Sequence, residues 1–313
     1  MENLNLIPAT NLKQKTLIVI AGPTAVGKTN VAIKLASHYN TAIISADSRQ
    51  FYCEMAIGTA KPSTEELAQA KHYFINSHSI TNNFNVGDFE KGGLNLLDEI
   101  FTGNNLAILA GGSGLYIKAI CEGFDDLPAV NIEIRNRLNT EYEKNGISSL
   151  TECLKVVDPV YYNEVDINNP QRIIRALEVI ESTGQPFSSY RTAKAKERPF
   201  NVIKIGLNLP RDLLYQRINL RVDEMIKQGL IAEVRSLLQY RNLNALNTVG
   251  YKEVFEHLDG KIDIDSTITA IKQNTRRFAK RQLTWFNKDK QITWFEPSQV
   301  NTIIKYIDSL LNK

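Results

Sequence analysis

The segment Gly22–Thr29 constrains this chain more than any other stretch, because its letters, GPTAVGKT, match the phosphate-loop pattern GxxxxGK[ST] in full. The apolar run Leu17–Ala21 before it predicts a buried strand, and the helical spacing of apolar residues in Asn30–Tyr39 predicts a helix after it. In that context, backbone N–H groups and the positive end of the helix bind phosphate oxygens. Lys28 adds a charge, and the hydroxyl of Thr29 can hold a magnesium ion. The loop therefore predicts a bound phosphate chain, but not the molecule that carries it.

The composition limits the remaining classes of protein. The chain has 313 residues, of which 43% are hydrophobic, so one large domain or two smaller ones can bury a core. A net charge of +3 means that any affinity for nucleic acid must come from local clusters of cations. The three cysteines form no C-x-x-C pair, and no apolar run approaches the length of a membrane span. We expect a soluble cytoplasmic protein whose residues 1–15 form a loose tail.

Further apolar runs predict strands near residues 41–46, 106–110, 202–209 and 291–295. Asp47 follows the first of these runs, and a carboxylate at the end of a parallel strand lies on the ligand side of an α/β sheet. Chemistry or metal binding is therefore one interpretation of Asp47, and a helix cap is the other. Gly111–Gly114 follow the next strand, where an ordinary phosphate-loop ATPase has an acidic residue for magnesium. These glycines either allow a ligand or backbone to approach closely or form a plain turn, and Ser113 among them offers a hydrogen bond.

Residues 125–199 contain no strand-like run, only helical stretches near 131–144, 147–157 and 171–183. We therefore predict a core domain made of residues 1–124 and 200–313, with a helical insertion domain at 125–199. Arg172 and Arg175 share one face of the third helical stretch, and Arg135 adds to the positive charge of this region. Taken alone, these arginines are as expected for a solvated surface.

A helix predicted at Ile268–Phe286 carries the strongest cluster of charge. Lys272, Arg276 and Lys280 form one row at four-residue spacing, Arg277 and Arg281 form the next, and no acidic residue occurs between Asp265 and Asp289. Such a face suits the phosphates of a nucleic acid, although a solubilising surface is an equally good interpretation. The apolar positions of the same helix include Ile271, Phe278 and Trp285.

Seven segments together resemble the bacterial tRNA dimethylallyltransferases, also called tRNA isopentenyltransferases. They occur in the family's order and cover most of the chain: Gly22–Thr29, Asp47–Gln50, Gly58–Pro62, Gly111–Tyr116, Gln171–Val179, Thr248–Lys252 and Arg276–Phe286. The phosphate loop alone occurs in many families, whereas the combination of DSRQ with GTAKP is highly specific. One departure is Ser113, where the family usually has threonine; the hydroxyl is kept and a methyl contact is lost.

The resemblance implies an α/β fold with a P-loop NTPase-like parallel sheet core and a helical insertion domain that contacts tRNA. It implies transfer of a dimethylallyl group from dimethylallyl diphosphate to N6 of adenosine 37 in tRNA, with Mg²⁺ as cofactor. The phosphate loop would then hold diphosphate as a leaving group, so no nucleoside triphosphate need be hydrolysed. We expect the anticodon stem-loop of tRNA as partner, no membrane association, and a monomer.

The resemblance also implies roles for single residues. Asp47 would be the general base, and Lys28 and Arg221 would stabilise the diphosphate. The loop that binds the diphosphate comprises Gly22, Pro23, Thr24, Ala25, Val26, Gly27, Lys28 and Thr29, of which Thr29 also holds the metal. The expected tRNA contacts are Asp47, Ser48, Arg49, Gln50, Ser113, Arg135, Gln171, Arg172, Ile173, Ile174 and Arg175, together with Arg276, Arg277, Lys280 and Arg281 of the late helix.

Two other classes share part of this pattern. A phosphate-loop kinase for small molecules would share the core and would transfer phosphate from a nucleotide. A nucleotide-switched RNA-binding protein would share the basic helix and would bind GTP or ATP tightly. Neither class explains the glycines at 111–114, where an acidic residue would be expected.

Overall fold

The computed structural model describes residues 14–125, 127–128, 131–191 and 195–312. The predicted loose tail, residues 1–15, therefore lies almost wholly outside the described residues. The described residues form six strands: β1 (Thr16–Ala21), β2 (Ile43–Ser45), β3 (His72–Tyr73), β4 (Leu106–Gly111), β5 (Asn201–Leu207) and β6 (Thr293–Phe295). The predicted strands are confirmed, and β3, only two residues long, is an addition that a run of apolar residues could not indicate.

The strands form one sheet in the order β3-β2-β4-β1-β5-β6, and every paired neighbour is parallel. In the central strand β1, Ile18 lies opposite Ile108 of β4 and Ile203 of β5. Because parallel strands end at the same edge, the phosphate loop after β1 and Asp47 after β2 meet the glycines after β4 there. The predicted α/β fold with a parallel sheet is confirmed.

Helices connect and cover the strands. They are α1 (Lys28–His38), α2 (Thr64–Gln69), α3 (Val86–Gly103), α4 (Gly114–Glu122), α5 (Ile132–Asn145), α6 (Ser148–Val157), α7 (Pro159–Glu164), α8 (Pro170–Thr183), α9 (Arg211–Lys227), α10 (Leu230–Ser236), α11 (Tyr251–Leu258), α12 (Ile264–Phe286) and α13 (Val300–Leu311). The break expected at Gly229 is confirmed, because this glycine has φ +100° between α9 and α10.

Both faces of the sheet are covered, which is why its strands are apolar throughout. Ile18 and Ile20 of β1 join a core with residues of α1 and α13, whereas Leu17 and Val19 point to a second core with residues of α3 and α4. All six residues of β1 are buried. This packing fixes the end of β1, and with it the start of the phosphate loop.

The chain divides into two compact units, one formed by residues up to Glu122 and from Arg198 onward, the other by Gly123–Glu197. The second unit packs α5–α8 around its own apolar core. Within it, the fully buried carboxylate of Glu178 pairs with Arg135 and, at 3.4 Å, with Arg175. Because a buried charge needs partners, these two arginines stabilise the unit itself.

Two of the predicted tRNA contacts in this unit have buried side chains, and their contact with tRNA stays a prediction. Ile173 and Ile174 belong to the apolar core of the unit and are 0% and 7% exposed. Their helix, α8, is amphipathic, and the family's motif runs through both of its faces. Gln171 and Arg172 lie exposed in its first turn, and their contact with tRNA stays a prediction.

No helix in the described part of the chain is long and apolar enough to cross a membrane.

Candidate active site

The phosphate loop joins the end of β1 to the first residue of α1, Lys28. Gly22 needs to be glycine because a Cβ there would lie 2.5 Å from the carbonyl oxygen of Leu207. Gly27 has φ +108° and directly precedes the helix. The Nζ of Lys28 donates to the carbonyl oxygen of Pro23 at 2.8 Å. The lysine thus closes the loop on itself and is held at the positive end of α1.

Two arginines from α9, four residues apart, also reach the loop. Nη1 of Arg217 donates to the carbonyl oxygen of Val26 at 3.1 Å, and Nη1 of Arg221 donates to Oγ1 of Thr24 at 3.4 Å. Burial lowers the pKa of the Lys28 amine to about 8. The negative charge of Asp47 raises this pKa in part, and the positive charge of Arg221 lowers it further. Burial also lowers the pKa of the Arg221 guanidinium from its ordinary value. The loop therefore concentrates positive charge that an anion would stabilise.

Asp47 follows β2 and borders the same space. Its Oδ1 accepts a hydrogen bond from the backbone N–H of Arg49 at 3.2 Å, within a turn. The next helix in the chain, α2, begins only at Thr64 and is capped by Ser63. The alternative that Asp47 caps a helix was therefore wrong, and chemistry or metal binding is the interpretation that is left for this carboxylate.

Asp47, Lys28 and Arg221 line one cavity of about 450 Å³. In the described ranges no ion pair within 4 Å joins the carboxylate of Asp47 to Lys28 or Arg221. The carboxylate nevertheless lies close enough to raise the pKa of both cations. The same cavity has an apolar part, formed by Ile43, Ile57, Ala110 and Met225. One space thus combines an anion-binding loop, a carboxylate and an apolar wall.

The residues after Asp47 connect it to the loops around the cavity. The N–H of Ser48 donates to Oγ of Ser113 at 3.0 Å, so the turn after β2 is tied to the loop after β4. The side-chain amide of Gln50 donates to the carbonyl oxygens of Thr59 and Ala60, each at 3.2 Å. Gln50 therefore supports the loop Gly58–Pro62, and residues 59–62 of this loop also line the cavity.

The glycines at the end of β4 and just after it allow the protein to pack on itself. A Cβ at Gly111 would lie 2.1 Å from the carbonyl oxygen of Ala46, and one at Gly112 would lie 2.3 Å from Nε2 of Gln282. Gln282 is a buried residue of α12, and sequence reasoning missed it. Its Oε1 accepts from the N–H of Thr24 at 2.8 Å, and its Nε2 donates to the carbonyl oxygen of Gly112 at 2.9 Å. One side chain thus sets the spacing between the phosphate loop and the glycine loop.

Glu233 of α10 is a second residue that sequence reasoning missed. Its carboxylate accepts hydrogen bonds from the backbone N–H groups of Ala56, Ile57 and Gly58, and from the hydroxyl of Tyr251 at 2.6 Å. The Tyr251 ring packs so closely on Gly58 that a Cβ there would lie 2.4 Å from Cε2. Burial and the charge of Glu233 raise the pKa of the Tyr251 hydroxyl. The motif Thr248–Lys252 was the available signal, because it contains Tyr251.

The two cation rows of α12 lie in different surroundings. Nζ of Lys272 pairs with Asp223 of α9 at 2.6 Å, and Nη1 of Arg276 donates to Oδ1 of Asn219 at 2.7 Å. Lys280 borders a separate cavity of about 700 Å³ next to β5 and β6. Lys280, Arg277 and Arg281 are all exposed. The expected contact of Arg276, Arg277, Lys280 and Arg281 with tRNA stays a prediction.

The oxygen atoms that line the cavity suit a magnesium ion. Mg²⁺ prefers hard oxygen ligands, keeps several waters, and is often held by one or two protein oxygens together with substrate phosphates. The hydroxyl of Thr29 and the carboxylate of Asp47 both line the cavity. No cluster of three or more histidine, cysteine or acidic side chains with metal-binding geometry occurs among the described residues. The site thus fits a metal that arrives with a phosphorylated ligand.

Fold and site together define a phosphate-loop α/β enzyme whose anion-binding loop and carboxylate share one cavity. Residues 50–289 match the family described as IPP transferase. A tRNA dimethylallyltransferase from Christiangramia forsetii is 55% identical over 95% of this chain and 98% of its own length. The chain belongs to the IPP transferase family.

Solved structures agree with this membership. The tRNA isopentenylpyrophosphate transferase from Bacillus halodurans has a TM-score of 0.71 and 36% identity, with 96% of this chain and 97% of that chain covered. A eukaryotic dimethylallyltransferase, whose crystallographic snapshots record it acting on tRNA, has a TM-score of 0.77 and 25% identity, covering 96% and 80%.

Proposed function

We propose that this chain transfers a dimethylallyl group from dimethylallyl diphosphate to N6 of adenosine 37 of tRNA, giving N6-(dimethylallyl)adenosine and diphosphate. The observation that carries the proposal is the single cavity lined by Asp47, Lys28 and Arg221. Relatives named for this reaction supply the chemical class. The kinase and switch alternatives lose their basis, because the family is named for prenyl transfer.

The phosphate loop would bind the diphosphate of the donor. Backbone N–H groups, Lys28 and Arg221 supply the positive charge that stabilises the leaving group as its own charge grows. Ile43, Ile57, Ala110 and Met225 would surround the five-carbon group and exclude water from it. The donor would therefore bind with its charged end in the loop and its apolar end against this wall.

Thr29 would hold Mg²⁺ together with the phosphate oxygens, and Asp47 is the other available ligand. When bound, the metal neutralises part of the diphosphate charge. Asp47 cannot use the same lone pair as a base and as a metal ligand, so the two roles are experimentally separable.

Asp47 would act as the general base for the adenosine that accepts the dimethylallyl group. The N6 amine is a poor nucleophile, because its lone pair is delocalised into the adenine ring. As the nitrogen bonds to the allylic carbon, the carbon–oxygen bond breaks and its electron pair leaves with the diphosphate, while Asp47 takes the N6 proton. A positioned base contributes roughly 10²–10⁴-fold to such a step. The adenosine must leave its stack to enter the cavity.

The tRNA would be held around the cavity mouth by Ser48, Arg49, Gln50 and Ser113, and farther out by the exposed cations. A tRNA substrate would place the enzyme in the cytoplasm. We infer a monomer, because one chain contains the loop, the base and the cavity.

The test is incubation of the chain with dimethylallyl diphosphate, Mg²⁺ and unmodified tRNA, followed by nucleoside mass analysis. We expect an adenosine heavier by one dimethylallyl group, and none from a tRNA that carries guanosine at position 37. Lys28→Ala should weaken use of the donor and leave tRNA affinity nearly unchanged. Absence of the heavier nucleoside with the folded wild-type chain would overturn the proposal.

A further inference from the structure

The apolar part of the active-site cavity is built from two different kinds of residue. Ile43 and Ala110 belong to β2 and β4, where pairing with a strand on each side fixes their main chain. Ile57 and Met225 come from a loop and from α9, are half-buried, and pack against a separate core that contains Met55. This second pair therefore forms the wall between the cavity and that core.

The main chain around Ile57 is held in place. Its N–H donates to Oε2 of Glu233 at 2.7 Å, and its carbonyl oxygen accepts from the N–H of Ala60 at 3.0 Å. The N–H of Gly58 donates to Oε1 of the same carboxylate at 3.0 Å, and Gly58 lies against the ring of Tyr251. The isoleucine side chain is branched at Cβ and has few rotamers. Ile57 is therefore a stiff part of the wall.

Met225 lies at a defined distance from the phosphate loop. It follows Arg221 by four residues on α9, so it lies on the same face of the helix, about 6 Å farther along the axis. Nη1 of Arg221 donates to Oγ1 of Thr24 and so marks the position proposed for the diphosphate. From the bridging oxygen, a dimethylallyl group extends through four bonds of about 1.5 Å each, which matches this distance. A second isoprene unit doubles that reach.

The rest of the cavity offers a longer chain no better direction. The adenine must enter the same space of about 450 Å³, because Asp47, the proposed base, lines it. Beyond the apolar wall the lining includes Lys61, Glu66 and His72, whose polar groups a hydrocarbon chain would desolvate. A second isoprene unit would therefore have to displace packed side chains of the wall, and close-packed interiors resist this.

We propose that Ile57 and Met225 set the length of the prenyl group and so restrict the donor to five-carbon allylic diphosphates. The proposal rests on the proposed function, because it takes an allylic diphosphate as the donor. Ile57 is the stiff limit of the wall, whereas Met225 is unbranched and adapts to the branched end of the group. The two residues select the donor by its size and have no part in the proton transfer.

The test compares dimethylallyl diphosphate with geranyl diphosphate, which has one more isoprene unit. With Mg²⁺ and unmodified tRNA, kcat/KM is measured for each donor, and nucleoside mass analysis identifies the group transferred. The wild type should prefer dimethylallyl diphosphate. Ile57→Ala and Met225→Ala should each raise the ratio of geranyl to dimethylallyl transfer by roughly 10- to 200-fold.

Milder variants and a matched control accompany these two. Ile57→Val removes one methyl group but keeps the branched side chain, so it should raise the ratio less, in the same direction, even if Ile57→Ala fails to fold. Met225→Leu nearly conserves the volume and should raise the ratio less than Met225→Ala. Leu220→Ala, at a 69% exposed position of α9, should leave the ratio unchanged. Circular dichroism establishes that each variant is folded.

Calorimetric titration without tRNA separates binding from transfer. Geranyl diphosphate should bind Ile57→Ala and Met225→Ala more tightly than it binds the wild type. Inorganic diphosphate has no carbon chain, so its affinity should be the same in all three proteins. A loss of affinity for inorganic diphosphate would mean that the two residues support the phosphate loop instead, which would overturn the proposal.

The outcomes separate this proposal from the proposed function. If the wild type transfers both groups equally well, the chain sets no limit at five carbons and the proposal is overturned, while prenyl transfer stands. The same conclusion follows if every variant still transfers the dimethylallyl group but none gains geranyl transfer. If the wild type transfers neither group to tRNA, the proposed function falls, and the affinities for the two donors alone then decide the proposal.

Discussion

The depressed pKa of Lys28 predicts that affinity for the donor falls as the pH rises above 8. Nζ of this lysine lies in the phosphate loop, and burial lowers its pKa to about 8 from a usual 10.5. Only the protonated amine offers a charge to the diphosphate. Above pH 8 the free enzyme is mostly neutral at this position, so binding must include the uptake of a proton.

The magnitude follows from that pKa. When only the protonated form binds, the apparent dissociation constant rises by the factor 1 + 10^(pH − pKa), which amounts to about tenfold between pH 7 and pH 9. The ligand contributes little to this change, because a terminal phosphate loses its last proton near pH ~6. Bound diphosphate raises the lysine pKa, so the rate of the bound complex should change less than the affinity.

Calorimetric titration with dimethylallyl diphosphate and Mg²⁺, without tRNA, measures this effect at several pH values from 7 to 9. Lys28→Arg is the matched control, because arginine stays charged throughout this range. The expected result is a loss of affinity in the wild type and a flat profile in the variant. A flat wild-type profile, or the same slope in both proteins, would refute the reasoning.

Three further predictions follow from the same site. Lys28→Met should raise the free energy of unfolding at pH 7 by at most about 3 kcal/mol, because a buried ammonium group with a pKa of about 8 instead of 10.5 opposes folding below pH 8. The same variant should abolish diphosphate binding, and chemical denaturation with and without diphosphate measures both effects. Glu233→Gln removes one of the two carboxylate oxygens that accept hydrogen bonds from three N–H groups and a hydroxyl, so it should lower stability by about 1.5–3 kcal/mol and raise the KM for tRNA. Glu256→Gln, on the exposed side of α11, should change neither quantity. Gln282→Leu should lower stability by about 1–3 kcal/mol and raise the KM for the donor, because the N–H of Thr24 loses its acceptor. The exposed control Gln273→Leu should leave the KM unchanged. An unchanged KM in Gln282→Leu would mean that Gln282 does not position the loop.

Local sequence was enough to predict the phosphate loop and the strands around it. The motif Gly22–Thr29 predicts a strand before it and a helix after it, and the buried strands are apolar on both faces. Asp47 could also be placed at the sheet edge, because its position depends only on the end of β2.

The supporting contacts could not be predicted, because they join distant parts of the chain. Gln282 is 258 residues from Thr24, and Glu233 is 175 residues from Gly58. The same limit applies to α12: its sequence shows five cations at helical spacing, but not that Asp223 of α9 neutralises Lys272. Helical periodicity also did not predict that Phe278 and Trp285, although apolar, remain exposed.

The assignment of Asp47 as the base is the central claim of this account. Asp47→Asn keeps the shape of the side chain and can still accept from the N–H of Arg49, but it cannot take a proton. The loss expected for a base is roughly 10²–10⁴-fold, or about 2.7–5.5 kcal/mol of barrier. Glu66→Gln is the matched control, since Glu66 lines the same cavity and instead caps α2 through the N–H of Ser63.

The most direct measurement is the single-turnover rate of dimethylallyl transfer by Asp47→Asn across a magnesium titration, with both substrates saturating. The account predicts a rate reduced by roughly 10²–10⁴-fold at every magnesium concentration, with little change in the affinity for donor or tRNA. Recovery of the rate at high magnesium would assign Asp47 to the metal instead. A rate within about tenfold of wild type at ordinary magnesium would contradict the claim that Asp47 is the base.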